Sequence, residues 1–175
     1  MPNVIIEKQD RIGTITLNRP DVMNALDMDL ILELKDAVVQ MGADETLRVV
    51  ILKGAGDNFC SGADLKLLAA DIAPEKWLVG MRRRGAIVTG LRGIPQPVIT
   101  ALRGVAVGAG ANLALAGDFV LAAEGTRFTE VFVHTGLILD GGGTYFLPRL
   151  LGLVKARELA LLGEEINGRT AADIG

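Results

Sequence analysis

Short apolar runs alternate along the chain with longer stretches in which apolar residues recur every three or four positions. Residues 4–9 and 11–17 are strand-like runs on either side of Asp10, and they predict an opening hairpin. Asp27 is a good N-cap residue, and the stretch that it opens ends at Gly42, so we expect a helix between them. Its predicted core face consists of Leu30, Ile31, Leu34, Ala37, Val38 and Met41.

The rest of the chain continues this alternation. Residues 49–52 and 98–102 are apolar at nearly every position, which is typical of strands buried on both faces of a parallel or mixed sheet. Residues 118–122 predict one more strand. Predicted helices span residues 64–70, 74–91, 144–151 and 153–162, and the second of them is expected to bury Trp77, Met81, Val88 and Leu91. Helices that separate short apolar strands predict an α/β fold.

Composition narrows the class of protein. The chain has 175 residues, of which 50% are hydrophobic, so we expect residues 1–175 to form a single core domain. A net charge of −3 argues against general affinity for nucleic acid or an anionic membrane. The N-terminus does not resemble a signal peptide, and no apolar run reaches membrane-spanning length, so a cytoplasmic location is expected. One cysteine and one histidine predict neither a disulfide nor a metal site.

Residues 104–118 combine glycine and alanine with an apolar helical run, and they contain no titratable side chain before Asp118. The pattern predicts a strand, a tight glycine turn and the first turn of a buried helix. Free N–H groups at such a helix start can bind an anion or a developing oxyanion. A turn that only lets a helix pack closely on a strand explains the same residues equally well.

Two further glycine turns lead into helical runs, at residues 59–64 and 140–144. Each could direct main-chain N–H groups at one cavity, where two donors would stabilise negative charge on a carbonyl oxygen. Asp140 is the acid within these turns that could move a proton. If Phe132, Leu137 and Leu139 surround it, desolvation would raise its pKa toward that of a useful general base. The alternative is that Asp140 caps the helix that follows.

Several of these segments together resemble the enoyl-CoA hydratase/isomerase, or crotonase, family. The matching segments are residues 18–20 with 24–26, 59–65, 94–98, 104–118, and 136–144 with 147–149. Their order and spacing extend over essentially the whole chain. The resemblance implies a spiral of ββα units, an acyl-CoA thioester substrate, and an oxyanion hole formed by the N–H groups of Ala63 and Ala109.

The resemblance also implies where coenzyme A would bind. The matching positions are Val22, Ala25, Ala63, Asp64 and Leu65, with Ala109 and Phe132 beside the acyl group. Coenzyme A is then part of the substrate, and no separate cofactor is expected. Full-length relatives continue with a C-terminal helical region that builds trimers or dimers of trimers, and we expect that region to be absent beyond about residues 160–175.

This chain departs from the family where hydratases carry two catalytic glutamates, because Asn112 and Phe132 stand at those positions. Asp140 stands where isomerases resembling Δ3,Δ2-enoyl-CoA isomerase and the ring-epoxide isomerase carry their acid/base aspartate. One carboxylate suffices for a 1,3-proton shift, and Asn112 could orient the substrate. A related dehalogenating branch uses this aspartate as a nucleophile. The predicted function is therefore acyl-CoA isomerase, with enoyl-CoA hydratase of fatty acid β-oxidation and a non-catalytic acyl-CoA binding protein as alternatives.

Three other features receive simpler interpretations. Arg82, Arg83 and Arg84 are expected to form a solvated helix face, with a phosphate or subunit contact as the alternative. His134 and Ser61 lack the spacing and the strained serine turn of a hydrolase triad. Cys60 is expected to be a small buried residue and not a reactive thiol.

Overall fold

The computed structural model describes residues 1–68 and 74–175. The strands are β1 (Val4–Gln9), β2 (Ile12–Leu17), β3 (Val49–Gly54), β4 (Val98–Leu102), β5 (Val105–Val107), β6 (Phe119–Ala122), β7 (Arg127–Thr129) and β8 (Ile166–Asn167). The helices are α1 (Met28–Gly42), α2 (Leu65–Leu68), α3 (Pro74–Gly93), α4 (Ala109–Leu115), α5 (Gly143–Leu162) and α6 (Gly168–Asp173), with 3-10 turns at Pro20–Val22 and Val131–Thr135. Within these described ranges, no helix has both the length and the apolar character needed to cross a bilayer.

A five-stranded sheet with the order β1-β2-β3-β4-β6 carries the larger core. The predicted hairpin is confirmed, because β1 and β2 pair antiparallel; every other neighbouring pair in this sheet is parallel. The parallel register aligns Ile15 with Leu52 and Val50 with Val98. All four of these side chains are at most 1% exposed, as strands covered on both faces require.

Helix α1 covers this sheet as its periodicity predicts. The carboxylate of Asp27 accepts a hydrogen bond from the Leu30 N–H at 2.8 Å and caps the helix. The buried residues of α1 are Leu30, Ile31, Leu34, Ala37, Val38 and Met41, which confirms all six predicted core positions. The apolar spacing alone specified this face because 3.6 residues complete one helical turn.

The chain after α1 winds between two sheets. Strands β3, β4 and β6 lie in the large sheet, whereas the segments that follow them pair with one another in a second layer. In that layer β5 pairs in parallel with β7, and Cys60, which follows β3, forms a parallel bridge with Ala106 of β5. Strand β8 completes a three-stranded sheet of order β5-β7-β8. Repeated ββα units therefore bring the turns before α2, α4 and α5 to the same side of the fold.

Helix α3 corrects two of the sequence predictions. Leu91 is buried at 1% exposure, as expected, and Val88 packs against the core, but Met81 is 39% exposed and is not a core residue. Arg84 is only 8% exposed, so the arginine run is not wholly solvated. The Trp77 side chain and residues 69–70, the end of the helix predicted at 64–70, lie outside the described part of the structure.

The last third of the chain is helical, with one break. Gly152 in α5 has non-helical angles of φ 74° and ψ 166°, and it separates the two helical runs that were predicted on either side of it. Strand β8 and helix α6 were not predicted. Asn167 caps α6 by accepting a hydrogen bond from the Thr170 N–H at 2.8 Å.

Candidate active site

Two of the three glycine turns converge at the start of α4. A Cβ atom on Gly62 would lie 2.7 Å from the Val107 carbonyl oxygen and 3.6 Å from the Ala109 nitrogen. Gly62 also has a φ of +92°, which side-chain-bearing residues rarely adopt. Glycine at this position therefore lets the turn before α2 approach the first residue of α4 closely.

The main-chain N–H groups of Ala63 and Ala109 lie on these two turns. Ala63 forms a parallel bridge with Leu26. The Leu26 N–H donates to the Gly62 carbonyl at 2.7 Å, and the Asp64 N–H donates to the Leu26 carbonyl at 3.1 Å. Ala63 lies between these two hydrogen bonds, so its own N–H points away from Leu26. The Ala109 N–H is at the first position of α4, where no intrahelical acceptor is in reach. Each group can therefore donate to a ligand.

Asp140 does not cap α5. The N-cap residue is Gly142, and the Asp140 main-chain carbonyl accepts from the Gly143 N–H at 2.9 Å, so the capping interpretation of the Asp140 side chain is wrong. The Asp140 Oδ1 atom is buried, and within the described ranges it has no hydrogen-bond partner. A buried oxygen of this kind is available to accept a proton.

Asp140 and Ala109 line the same cavity. Arg84 lies in its wall, and the apolar lining comes from α1, α3, α4 and the bridge partner of Ala63, namely Leu34, Ile87, Val88, Leu113 and Leu26. Leu137 and Leu139, named above as possible neighbours of the acid, are not among the described residues that line the cavity, and Leu137 is 52% exposed.

Burial is the main cause that raises the pKa of Asp140 above its ordinary value, and the positive charge of Arg84 opposes this effect. Desolvation disfavours the carboxylate and so makes it a stronger base. Arg84 limits the shift and so favours the ionised form that can accept a proton. The two opposing effects on the pKa of Asp140 are those expected of a carboxylate that accepts and returns a proton.

Asn112 lies below the cavity and contacts a carboxyl group that sequence reasoning missed. Its side chain is 0% exposed, and its Nδ2 donates a hydrogen bond to Glu130 Oε2 at 3.2 Å. Glu130, between β7 and the 3-10 turn, is 1% exposed. Burial chiefly, and the negative charge of Asp140 as well, raise the pKa of Glu130 to about 8, while the Asn112 hydrogen bond opposes them. The sequence feature that could have indicated Glu130 as a buried acid is its position in the mostly apolar run from Phe128 to Phe132.

Phe132 lies beside the turn at the start of α4. Its side chain is 7% exposed, and a Cβ atom on Gly108 would lie 3.7 Å from its Cζ atom. The ring therefore packs next to Ala109. It is not among the described residues that line the cavity with Asp140.

Arg19 links two of the residues expected to contact coenzyme A, Ala25 and Asp64. The Arg19 guanidinium donates to the Ala25 carbonyl at 2.5 Å and forms ion pairs with Asp27 at 2.9 Å and Asp64 at 3.1 Å. Hydrogen bonds, first from the Lys66 N–H and then from Arg19, lower the pKa of Asp64. At the rim of this group two of the expected residues reach solvent, Val22 at 43% and Leu65 at 77% exposure.

The remaining candidates have structural contacts. The Ser61 hydroxyl donates to the Val22 carbonyl at 3.3 Å, whereas the His134 Nε2 atom lies 3.1 Å from the Gly163 carbonyl oxygen, so the structure does not join them in a triad. Cys60 is fully buried, as expected, and burial raises the pKa of its thiol to about 12. A thiol with this pKa is not a nucleophile near neutral pH.

Comparison with known proteins finds similarity over nearly the whole chain. The family model of enoyl-CoA hydratase/isomerase matches residues 7–175. The 1,2-epoxyphenylacetyl-CoA isomerase of Escherichia coli (strain K12) is 39% identical over 178 residues, covering 100% of this chain and 68% of that protein. The crotonyl-CoA hydratase of Syntrophomonas wolfei subsp. wolfei (strain DSM 2245B / Goettingen) is 36% identical over 177 residues, covering 99% of this chain and 66% of that protein.

A solved structure shows the same fold. The crystal structure of enoyl-CoA hydratase from Bacillus anthracis superposes with a TM-score of 0.94 at 35% identity, covering 99% of this chain and 67% of that one. This similarity confirms the predicted α/β class and the crotonase-like arrangement of ββα units. The chain spans about two thirds of the length of the proteins that it matches.

Proposed function

Because the chain belongs to the enoyl-CoA hydratase/isomerase family, we propose that it is an acyl-CoA isomerase that shifts a double bond through an enolate. Asp140 is the acid/base, and the N–H groups of Ala63 and Ala109 hold the thioester oxygen. Asn112 lies behind Asp140 and acts on its position. The acyl group enters the apolar cavity, and the coenzyme A portion lies along Val22, Ala25, Asp64 and Leu65, with Phe132 near the thioester.

The proton shift needs only one carboxylate. For a 3-enoyl thioester, ionised Asp140 removes a proton from C2, and the electron pair of that C–H bond moves toward the thioester oxygen to give a dienolate. Two N–H donors stabilise the new negative charge, and each donor of this type contributes about 3 kcal/mol in a measured enzyme. Protonated Asp140 then returns its proton to C4, and the conjugated 2-enoyl thioester forms. Atoms and charge balance without a co-reactant.

The observation that carries this proposal is the single acid in the cavity wall. Asp140 is the acidic side chain among the described residues that line the cavity, and its Oδ1 atom is buried without a hydrogen-bond partner among them. Hydration by two carboxylates would need a second acid at Asn112 or Phe132, and neither side chain can carry a proton in that role. The same acid could act on a ring-epoxide thioester, the substrate type in the name of one relative.

Enoyl-CoA hydratase is the second candidate, and Glu130 is the observation that favours it. A buried second carboxyl beside Asp140 could in principle supply the other proton that hydration needs. Glu130 is however 1% exposed and is not among the described lining residues of the cavity, so isomerisation remains the better proposal. The third candidate is an acyl-CoA binding protein without turnover.

We propose further that the protein assembles as a homotrimer or a dimer of trimers. Strand β6 forms an edge of the large sheet, and its Phe119 and Leu121 are each 60% exposed. On α5, Leu153 is 59% and Val154 is 82% exposed. Large apolar side chains exposed on an edge strand and on a helix favour an interface between copies of this chain. Light scattering coupled to size-exclusion chromatography tests this proposal, and a monomer at all concentrations contradicts it.

A panel of thioesters distinguishes the candidate functions. The purified protein is incubated separately with 3-enoyl-CoA, trans-2-enoyl-CoA and a phenylacetyl-derived epoxide thioester. An isomerase raises the absorbance of the conjugated double bond when supplied with the 3-enoyl substrate, or converts the epoxide to its isomer. A hydratase lowers that absorbance when supplied with the 2-enoyl substrate. Coenzyme A binding without any turnover supports the binding protein and contradicts both enzymes.

A further inference from the structure

Asn112, Glu130 and Asp140 form a polar cluster at the wall of the cavity, which we call the Asn112 cluster. Asn112 and Glu130 are 0% and 1% exposed, and one hydrogen bond of 3.2 Å joins them. Each of the three side chains also keeps one buried oxygen without a hydrogen-bond partner among the described residues, namely Asn112 Oδ1, Glu130 Oε1 and Asp140 Oδ1. Buried polar atoms in this state are uncommon and point to a function beyond packing.

Two glycines that follow Asp140 in the chain lie against the Asn112 side chain. A Cβ atom on Gly143 would lie 2.5 Å from Asn112 Oδ1 and 2.7 Å from Nδ2, and one on Gly141 would lie 3.1 Å from Asn112 Cβ. Gly141 also has a φ of +54°. The Asn112 carboxamide is therefore in direct contact with the main chain on the C-terminal side of Asp140, and a change in its orientation must move that turn.

We propose that Glu130 is a positioning residue, which holds the Asn112 carboxamide so that the Gly141–Gly143 turn directs the Asp140 carboxylate into the cavity. The path runs from Glu130 through its hydrogen bond to Asn112, and from Asn112 through its packing against Gly141 and Gly143 to the turn. Glu130 does not touch the substrate, because it lies outside the described cavity lining. The inference concerns the same site as the proposed function and rests on it wherever turnover is measured.

The charges within the cluster fit this role. Burial, and after it the negative charge of Asp140, raise the pKa of Glu130 to about 8, so Glu130 keeps its proton at neutral pH. The Asn112 Nδ2 group donates the hydrogen bond that joins the pair, and Glu130 Oε2 accepts it, so the bond orients the carboxamide relative to the carboxyl group. The described groups that act on the two acids are Asn112 on α4 and Arg84 on α3, the latter on Asp140.

Three variants of the protein test the path by kinetics. Glu130→Leu removes the contact to Asn112, Glu130→Gln keeps a neutral group that can hold it, and Glu7→Gln on the exposed edge of β1 is the matched control. We expect Glu130→Leu to lower kcat roughly 10- to 100-fold with KM changed less than about twofold, as for other residues that orient catalytic groups. Glu130→Gln should recover most of kcat at pH 7. Equal kcat for Glu130→Leu and the control overturns the proposal.

A titration without substrate provides the second test. Carbon NMR of glutamate carboxyl groups should show one midpoint near 8, absent in Glu130→Gln and moved to lower pH in Asp140→Asn because the neighbouring charge is gone. A Glu130 midpoint that stays in place when Asp140 is neutral shows that the two acids are not coupled and overturns the inference. If Asp140→Asn retains turnover, the proposed function fails. If Asp140→Asn is inactive while Glu130→Leu is fully active, only this inference fails.

Discussion

Cys60 and Gly110 lie in direct contact, so that a Cβ atom on Gly110 would lie 2.8 Å from the Cys60 Sγ atom and 2.9 Å from its Cβ atom. The Cys60 thiol also accepts a hydrogen bond from the Gly62 N–H at 3.4 Å. One buried side chain thereby contacts both turns that bear the N–H groups of Ala63 and Ala109. The spacing between the two proposed oxyanion donors depends on this packing.

Gly110→Ala should push α4 away from Cys60. The added methyl group has no space in a close-packed interior, and overpacking of this kind costs about 1–3 kcal/mol. We expect a lower free energy of unfolding in urea and a lower kcat, because the Ala109 N–H moves with the helix. Gly85→Ala in α3 is the control, since a Cβ atom there would meet nothing within 4 Å. If Gly110→Ala has the same stability and kcat as that control, the contact between Cys60 and Gly110 does not determine the spacing of the two N–H groups.

Glu130 should make the protein less stable as the pH rises. Its pKa in the folded protein is about 8 against an ordinary 4.5, so between these values the folded state binds more protons than the unfolded state. Stability linked to this group is complete below about pH 4.5 and lost through pH 8, which amounts to roughly a few kcal/mol. Urea denaturation from pH 5 to 9 should show a smaller decline for Glu130→Gln than for Glu7→Gln. Parallel declines would contradict the shift.

Arg84 should determine the pH at which the enzyme becomes active. Its positive charge lowers the pKa of Asp140, so Arg84→Gln should move the acidic limb of the kcat/KM profile to higher pH. Arg84→Lys keeps the charge and should show a smaller shift. Arg82→Gln, two positions earlier on an exposed face of α3, serves as the control. If the acidic limb lies at the same pH in Arg84→Gln and Arg82→Gln, the charge of Arg84 does not act on the pKa of Asp140.

Arg19 should act on thioester binding more than on chemistry. It joins the Ala25 carbonyl to the carboxylates of Asp27 and Asp64, and so shapes the segment proposed for coenzyme A. We expect Arg19→Gln to weaken binding of a non-reactive acyl-CoA analogue roughly threefold to tenfold, because these partly exposed ion pairs are individually weak. Calorimetric titration measures the effect, with exposed Arg48→Gln as the control. A Kd equal to that of the control would show that the segment held by Arg19 does not contribute to coenzyme A binding.

The sequence was sufficient where the spacing of apolar residues alone determines which positions of an element are buried. Each of the six buried positions of α1 follows from apolar spacing, and the break at Gly152 lies between the two predicted helical runs. Met81 fits the same helical spacing in α3 but is exposed, because the packing of neighbouring elements decides which part of a long helix is covered.

Arg84 and Glu130 could not be identified in this way. An arginine beside two others is typical of a solvated face, and only the fold places one of the three against the cavity. Glu130 is not at a position where the family carries its glutamates, and its importance depends on contacts with Asn112 from another helix. Asp140 was predicted because the glycine turn and the family resemblance indicated the same residue, but the apolar residues that line the cavity with it come from distant helices.

The proposed isomerisation depends most directly on proton transfer by Asp140. The decisive measurement is the rate at which 3-enoyl-CoA becomes conjugated 2-enoyl-CoA in Asp140→Asn, beside Asp36→Asn on the exposed face of α1 as the matched acid-to-amide control. We predict a loss of roughly 10²- to 10⁴-fold for Asp140→Asn, with unchanged binding of a non-reactive thioester and full activity in the control. Comparable turnover in the two variants would contradict the claim.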